Sequence, residues 1–87
     1  MINMPYDDAG GFINVIRKEL FCTLEIHGSI NKKLFYLLRR SLEEQIDYYK
    51  YRFIHLYIES PGGDIAIMSQ MLDILRKYTK LGVCFRT

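Results

Sequence analysis

The sequence predicts an α/β domain built from repeated β-α-β units. Three observations carry this reading. Residues 21–27 (FCTLEIH) and 53–59 (FIHLYIE) are short runs rich in β-branched and aromatic side chains, the signature of strands. Between them, residues 32–48 repeat apolar side chains at helical spacing. A second helical stripe over residues 65–78 leads into another apolar run, Val83-Cys84-Phe85. Strands that alternate with helices imply a parallel sheet joined by right-handed crossovers.

The totals bound the rest. A chain of 87 residues holds one small domain. Hydrophobic residues make up 49% and charged ones 25%, an ordinary globular balance. A net charge of +2 gives no mandate for nucleic acid, membrane or acidic partners. No apolar run is long enough to span a bilayer. Asp7, Asp8 and the glycines that follow occupy the place where a signal peptide needs an apolar core, so a cytoplasmic location is expected. Cys22 and Cys84 lie far apart, each inside an apolar run, with no CxxC or Cys/His cluster. They are read as buried free thiols of a reducing compartment, with no metal site and no cofactor.

In chain order, residues 1–20 are expected to form an N-terminal arm, partly flexible, ahead of a domain over residues 21–87. The arm begins polar and glycine-rich (YDDAGG). Residues 13–20 (INVIRKEL) fit a short helix or an extended approach to the first strand. In that first strand, Phe21, Thr23, Glu25 and His27 fall on one side and Cys22, Leu24 and Ile26 on the other. Gly28-Ser29 ends it, and His27, alone at a strand end, reads as structural. Asn31 is the expected N-cap of the first helix, with Leu34, Leu37, Leu38, Leu42, Gln45 and Ile46 on its inner face. The run Tyr48-Tyr49-Lys50-Tyr51-Arg52 reads as a solvated connection with its rings folded back on the core rather than as a base-stacking surface.

Residues 53–59 are apolar on both faces, as expected of a strand covered by helices on both sides. In the second helix, Ile65, Met68, Leu72 and Leu75 form the expected inner stripe, widened by Ala66, Met71 and Ile74. Lys77 and Lys80 suit its C-terminal dipole, and Gly82 marks its end.

The corner Ser60-Pro61-Gly62-Gly63-Asp64 is not explained by core building alone. Pro61 holds Ser60 extended and ends the strand. Paired glycines open backbone conformations closed to other residues and let another chain approach. In open α/β sheets, sites lie beyond the carboxyl ends of strands. Backbone N–H groups just before a helix are natural donors to a developing oxyanion. An extended run beside them can also pair with a peptide.

The segment LYIESPGGDI, followed by a methionine-rich helix, resembles the signature of the ClpP family of self-compartmentalising serine peptidases, which typically reads LYINSPGG here. The frame upstream is similar: a strand closed by glycine (LEIHGSI), a helix, then the strand into Pro-Gly-Gly. The resemblance covers about residues 21–87 and implies a ClpP/crotonase-type fold, truncated in or after its third strand. It implies that Gly63, with Gly62 beside it, supplies an oxyanion hole, and that Asp64, Ile65 and Ala66 line the substrate peptide. It implies that Tyr57 and His55 belong to a docking groove for a partner, with His55 where the family commonly has tyrosine.

In the family the nucleophilic serine follows the third strand, and its histidine and aspartate come later still. None of Ser29, Ser41, Ser60 and Ser69 fits that role. The expectation is therefore a partial serine endopeptidase subunit, inactive alone. Its implied partners are a peptide or unfolded protein substrate, further copies of itself or full-length ClpP-like subunits, and an AAA+ unfoldase. The alternatives are a non-catalytic peptide-binding or assembly subunit, or part of a signal-peptide peptidase or crotonase-type acyl-CoA enzyme.

Overall fold

The structure, a computed structural model, describes residues 11–87. The glycine-rich start of the arm, residues 1–10, lies outside the described residues. Four strands form one mixed sheet in the order β1-β2-β3-β4: β1 Phe12–Arg17, β2 Cys22–His27, β3 Phe53–Glu59 and β4 Cys84–Arg86. Helix α1 (Lys32–Leu42) follows β2, and helix α2 (Ile65–Lys80) follows β3. β2, β3 and β4 run parallel, so the expected β-α-β-α-β order holds.

Of the two readings open for residues 13–20, the extended one is found. β1 pairs antiparallel with β2, from Phe12 opposite His27 to Arg17 opposite Cys22. The turn closes through Lys18 N–H donating to the Phe21 carbonyl at 2.9 Å. The sheet thus includes residues ahead of the expected domain boundary. Alternation in FINVIR is weak at the sequence level because Ile and Val stand beside Ile and Phe, and helix and strand templates fit it equally.

β2 carries the centre of the core. Cys22, Leu24 and Ile26 are buried, while Thr23, Glu25 and His27 turn to the other face, as the alternation predicts. Ile54 and Leu56 of β3 join them, and Leu34, Leu38 and Leu42 of α1 close over them with Ile67, Met71 and Tyr78 of α2. Both helices cover this one face, so both parallel crossovers have the same hand.

The expectation that β3 is covered on both faces is corrected. Phe53, His55 and Tyr57 are exposed, because among the described residues no helix packs on their side of the sheet. Two consecutive crossovers of one hand between strands in sequential order place both helices together and leave the other face open. Cys84 is corrected for the same reason: it faces outward and is exposed, whereas Cys22 is fully buried; both are free thiols. The inner stripe of α2 is corrected in part, since the expected Met71, Ile74 and Leu75 do pack inward. Ile67, Met71 and Tyr78 are buried, with Ile74 and Leu75 partly so, while Ile65, Met68 and Leu72 face outward.

Asn31 caps α1 as expected, its Oδ1 accepting from Leu34 N–H at 3.0 Å. The helix continues as a π-helical segment, Glu43–Tyr48. Successive residues Gln45 and Ile46 are both buried there. The buried Gln45 amide is satisfied: its Oε1 accepts from Arg17 Nε at 2.9 Å and its Nε2 donates to Glu44 at 3.1 Å. This ties α1 to β1. In the tyrosine run, Tyr49 lies under the Arg17 guanidinium at 4.0 Å, and the Tyr51 hydroxyl donates to the Lys18 carbonyl; Tyr48 stays exposed.

Candidate functional site

The corner between β3 and α2 is built by an exchange of backbone hydrogen bonds with Ile30, the residue just ahead of the α1 cap. Ile30 N–H donates to the Gly62 carbonyl at 2.9 Å, and Asp64 N–H donates to the Ile30 carbonyl at 3.0 Å. The two bonds form a parallel bridge that straddles Gly63. In that geometry the flanking peptides face Ile30 and the N–H of Gly63 itself faces away. A Cβ on Gly63 would stand 2.4 Å from the Ile30 carbonyl oxygen, closer than any side chain tolerates, and φ is +153°. Only glycine fits this contact.

Gly62 has a different reason. Its φ of +106° is the left-handed turn after Pro61, and a Cβ there would meet open space. Its N–H is taken by Ser60 Oγ at 3.0 Å, so Ser60 folds the turn upon itself. Of the two glycines singled out in the sequence, Gly63 alone keeps an N–H with no acceptor among the described residues.

Asp64 is the N-cap of α2. Its backbone is extended and its Oδ1 accepts from Ile67 N–H at 3.1 Å. The cap leaves the N–H groups of Ile65 and Ala66 in the helix's first turn, beside that of Gly63. Ile65 is 80% exposed, and Ala66 is exposed next to it. The corner therefore presents outward-facing donors, a positive helix end and an apolar side chain. The Asp64 carboxylate opposes a free anion here, so the arrangement suits an oxygen of a larger, mainly neutral group such as a peptide carbonyl.

Tyr57 and His55 do not join the corner; they lie on the open face of the sheet. The register sets that face in rows: Phe12, His27 and Glu59; then Asn14, Glu25 and Tyr57; then Ile16, Thr23, His55 and Arg86. In the first row, His27 Nδ1 lies 3.1 Å from Glu59 Oε1, and Phe12 stacks on the imidazole with ring centres 4.7 Å apart. Glu25 Oε1 stands 3.8 Å from His27 Nε2 and accepts from Asn14 Nδ2 at 3.3 Å. The Tyr57 ring is 6.2 Å from the His27 ring. His27 is thus held between Phe12, Glu59 and Glu25. His55 and Arg86 line a shallow depression of about 620 Å³ whose walls include Leu20, Phe21 and Phe53.

Two residues of the corner carry more than sequence reasoning assigned them. Ser60 closes the turn, which the Ser-Pro-Gly-Gly order signals through the serine's habit of capping a nearby N–H. Ile30 supplies the second strand of the bridge, and nothing in GSIN announces that. Among the described residues no serine hydrogen-bonds a histidine, and no three or more His, Cys, Asp or Glu side chains gather to hold a metal ion. No helix among them is long and apolar enough to cross a membrane. Compared with protein-family models, curated proteins and solved structures, the chain gives no significant match.

Proposed function

We propose that the corner from Ser60 to Asp64 is the oxyanion-binding element of a ClpP-type serine endopeptidase subunit, on a ClpP/crotonase-type fold. The observation that carries this reading is the N–H of Gly63, which has no acceptor among the described residues and is held facing away from the bridge to Ile30 at the carboxyl end of a parallel strand. In the reaction, a serine hydroxyl attacks the scissile peptide carbonyl and passes its proton to a histidine. The carbonyl oxygen takes up the negative charge, and Gly63 N–H donates to it. Asp64, Ile65 and Ala66 border the bound peptide, with Ile65 offering the apolar contact. Tyr57 and His55 supply the docking groove for an AAA+ unfoldase on the open face.

The nucleophile and its base come from outside residues 11–87, in the same polypeptide or in a companion subunit. One observation favours a second reading, a non-catalytic peptide-binding or assembly subunit: Ser60, the serine nearest the corner in sequence, is committed to the Gly62 N–H. The test is the intact mass of the protein from its native source after treatment with a fluorophosphonate probe. One adduct on a polypeptide heavier than 10.3 kDa, or on a co-purifying subunit that loses activity without this chain, supports the peptidase reading. A 10.3 kDa species with no adduct and no labelled companion sinks it and leaves the binding reading.

A further inference from the structure

We infer that β1 is a self-pairing edge: two copies of the chain join β1 to β1 antiparallel across a two-fold axis, making one continuous eight-stranded sheet from two four-stranded ones. The backbone directions come from the register. Gly28 N–H donates to the Glu59 carbonyl, so the even-numbered residues of β2 turn their backbone groups to β3, and Thr23, Glu25 and His27 turn theirs to β1. Their partners Phe12, Asn14 and Ile16 therefore point inward, and the Lys18–Phe21 turn bond continues the same phase. Ile13, Val15 and Arg17 carry backbone N–H and C=O groups that face outward, with no partner among the described residues.

This edge lacks the devices that keep strands apart. It is six residues long and has no proline. Its charge is confined to the Arg17 end. β4, on the opposite edge, has only three residues and carries the charged Arg86.

The second copy is the occupant because the strand complements itself in one register. With Asn14 on the axis, Ile13 meets Val15 of the other copy twice, and these are the residues with outward backbone groups. They form apolar pairs on the helix side and exchange hydrogen bonds. On the open face, Phe12 meets Ile16 twice, and Asn14 meets Asn14, an amide pair able to hydrogen-bond. No like charges are opposed. The neighbouring register sets Phe12 against Lys18 and Ile13 against Arg17, and is poorer at both places. Ile13 and Val15 are half-buried in one copy, and pairing extends the core over them. A single strand pair is a small interface, so the dimer belongs to the weak, concentration-dependent class.

Sedimentation equilibrium of the full chain tests this. The expected mass rises from 10.3 kDa toward twice that value across the micromolar range. Val15→Pro removes an outward N–H, which an edge strand tolerates, and is expected to weaken association by about tenfold or more while the circular dichroism is kept. Asn14→Lys, whose new ammonium faces Glu25 within its own chain, is expected to do the same, with partial recovery in high salt. Asn14→Cys in a Cys84→Ser background is expected to form a symmetric disulfide on oxidation, since non-hydrogen-bonded partners stand ~4.5 Å apart at Cα. A monomer at all concentrations overturns the inference. So does a dimer that both Val15→Pro and Asn14→Lys leave unchanged, or one in which Asn14→Cys fails to cross-link.

Discussion

Gly63 is fixed by the hydrogen bonds of its neighbours and not by one of its own. Its amide is therefore expected to exchange with solvent close to the rate of an unprotected glycine, while the amides of Gly62 and Asp64 are slowed by Ser60 Oγ and the Ile30 carbonyl. Amide exchange followed by NMR checks this; a protected Gly63 would mean an acceptor already fills the site. The two glycines also separate by substitution. Gly63→Ala drives a Cβ to 2.4 Å from a backbone oxygen and is expected to cost at least about 2 kcal/mol in urea unfolding. Gly62→Ala meets open space and pays only for its left-handed φ, about 1 kcal/mol. Equal costs would remove the bridge to Ile30 as the reason for the pair. The sequence shows two glycines in a row, and their distinct reasons were not legible there because Ile30 lies far upstream.

The cysteines give a second contrast at the same scale. Burial pushes the Cys22 thiol up to about 11 from an ordinary value of 9.0, with the Arg17 charge opposing this in part. The folded state thus holds its proton after the unfolded chain has released it. Stability from this group is complete below pH 9 and is lost as pH rises toward 11. Tyr78, raised first by burial and then by the Asp47 and Glu43 carboxylates, adds to the loss at the alkaline end. Cys22→Ala is expected to flatten the decline in melting temperature over that window. At neutral pH a thiol reagent should label Cys84 and spare Cys22 in the native protein. Labelling of both at equal rates would contradict the burial.

At the scale of the element, both helices start with a side chain that takes an orphan N–H: Asn31 for Leu34 and Asp64 for Ile67. Asn31→Ala and Asp64→Ala are each expected to cost about 1 kcal/mol by urea unfolding, and Asp64→Asn only a few tenths. Asp64→Asn also removes the charge beside Gly63, so it tests the corner's electrostatics with the cap retained. The element order from β2 onward, the Asn31 cap, the phase of β2 and the length of the first helical segment were legible in the sequence, because each is a local pattern of spacing or capping chemistry. The stripe of α2 was legible only in part. Met71, Ile74 and Leu75 lie in the expected stripe and do pack inward, but Ile65, Met68 and Leu72 fit helical spacing as well as Ile67 and Tyr78 do, and sheet geometry chose between them. β3 misled for a related reason. Ile58 has its apolar neighbours in sequence, yet it is 52% exposed because β4 pairs only with Phe53, Ile54 and His55 and leaves the end of β3 uncovered.

The whole molecule is a two-layer arrangement, helices on one face of the sheet and nothing described on the other. The core is therefore single-sided: Leu24, Ile26, Ile54 and Leu56 against Leu34, Leu38, Leu42, Ile67 and Met71. Apolar side chains on the open face contribute little to folding, however hydrophobic they are, since they bury little area on becoming ordered. Phe53 and Tyr57 are 54% and 51% exposed, while Leu24 is fully buried. Leu24→Ala is expected to cost about 2–5 kcal/mol, as a lost core side chain with a cavity left behind. Phe53→Thr and Tyr57→Thr together, at positions where threonine suits a strand, are expected to change stability by less than about 1 kcal/mol. Urea unfolding of the three proteins at one dilute concentration, where self-association is absent, makes the comparison. If the double variant costs as much as Leu24→Ala, the open face is packed in solution and the two-layer description fails. If it costs little, Phe53 and Tyr57 are free of any structural duty. Their exposure on one face is then a property available for recognition, where the docking groove has been proposed.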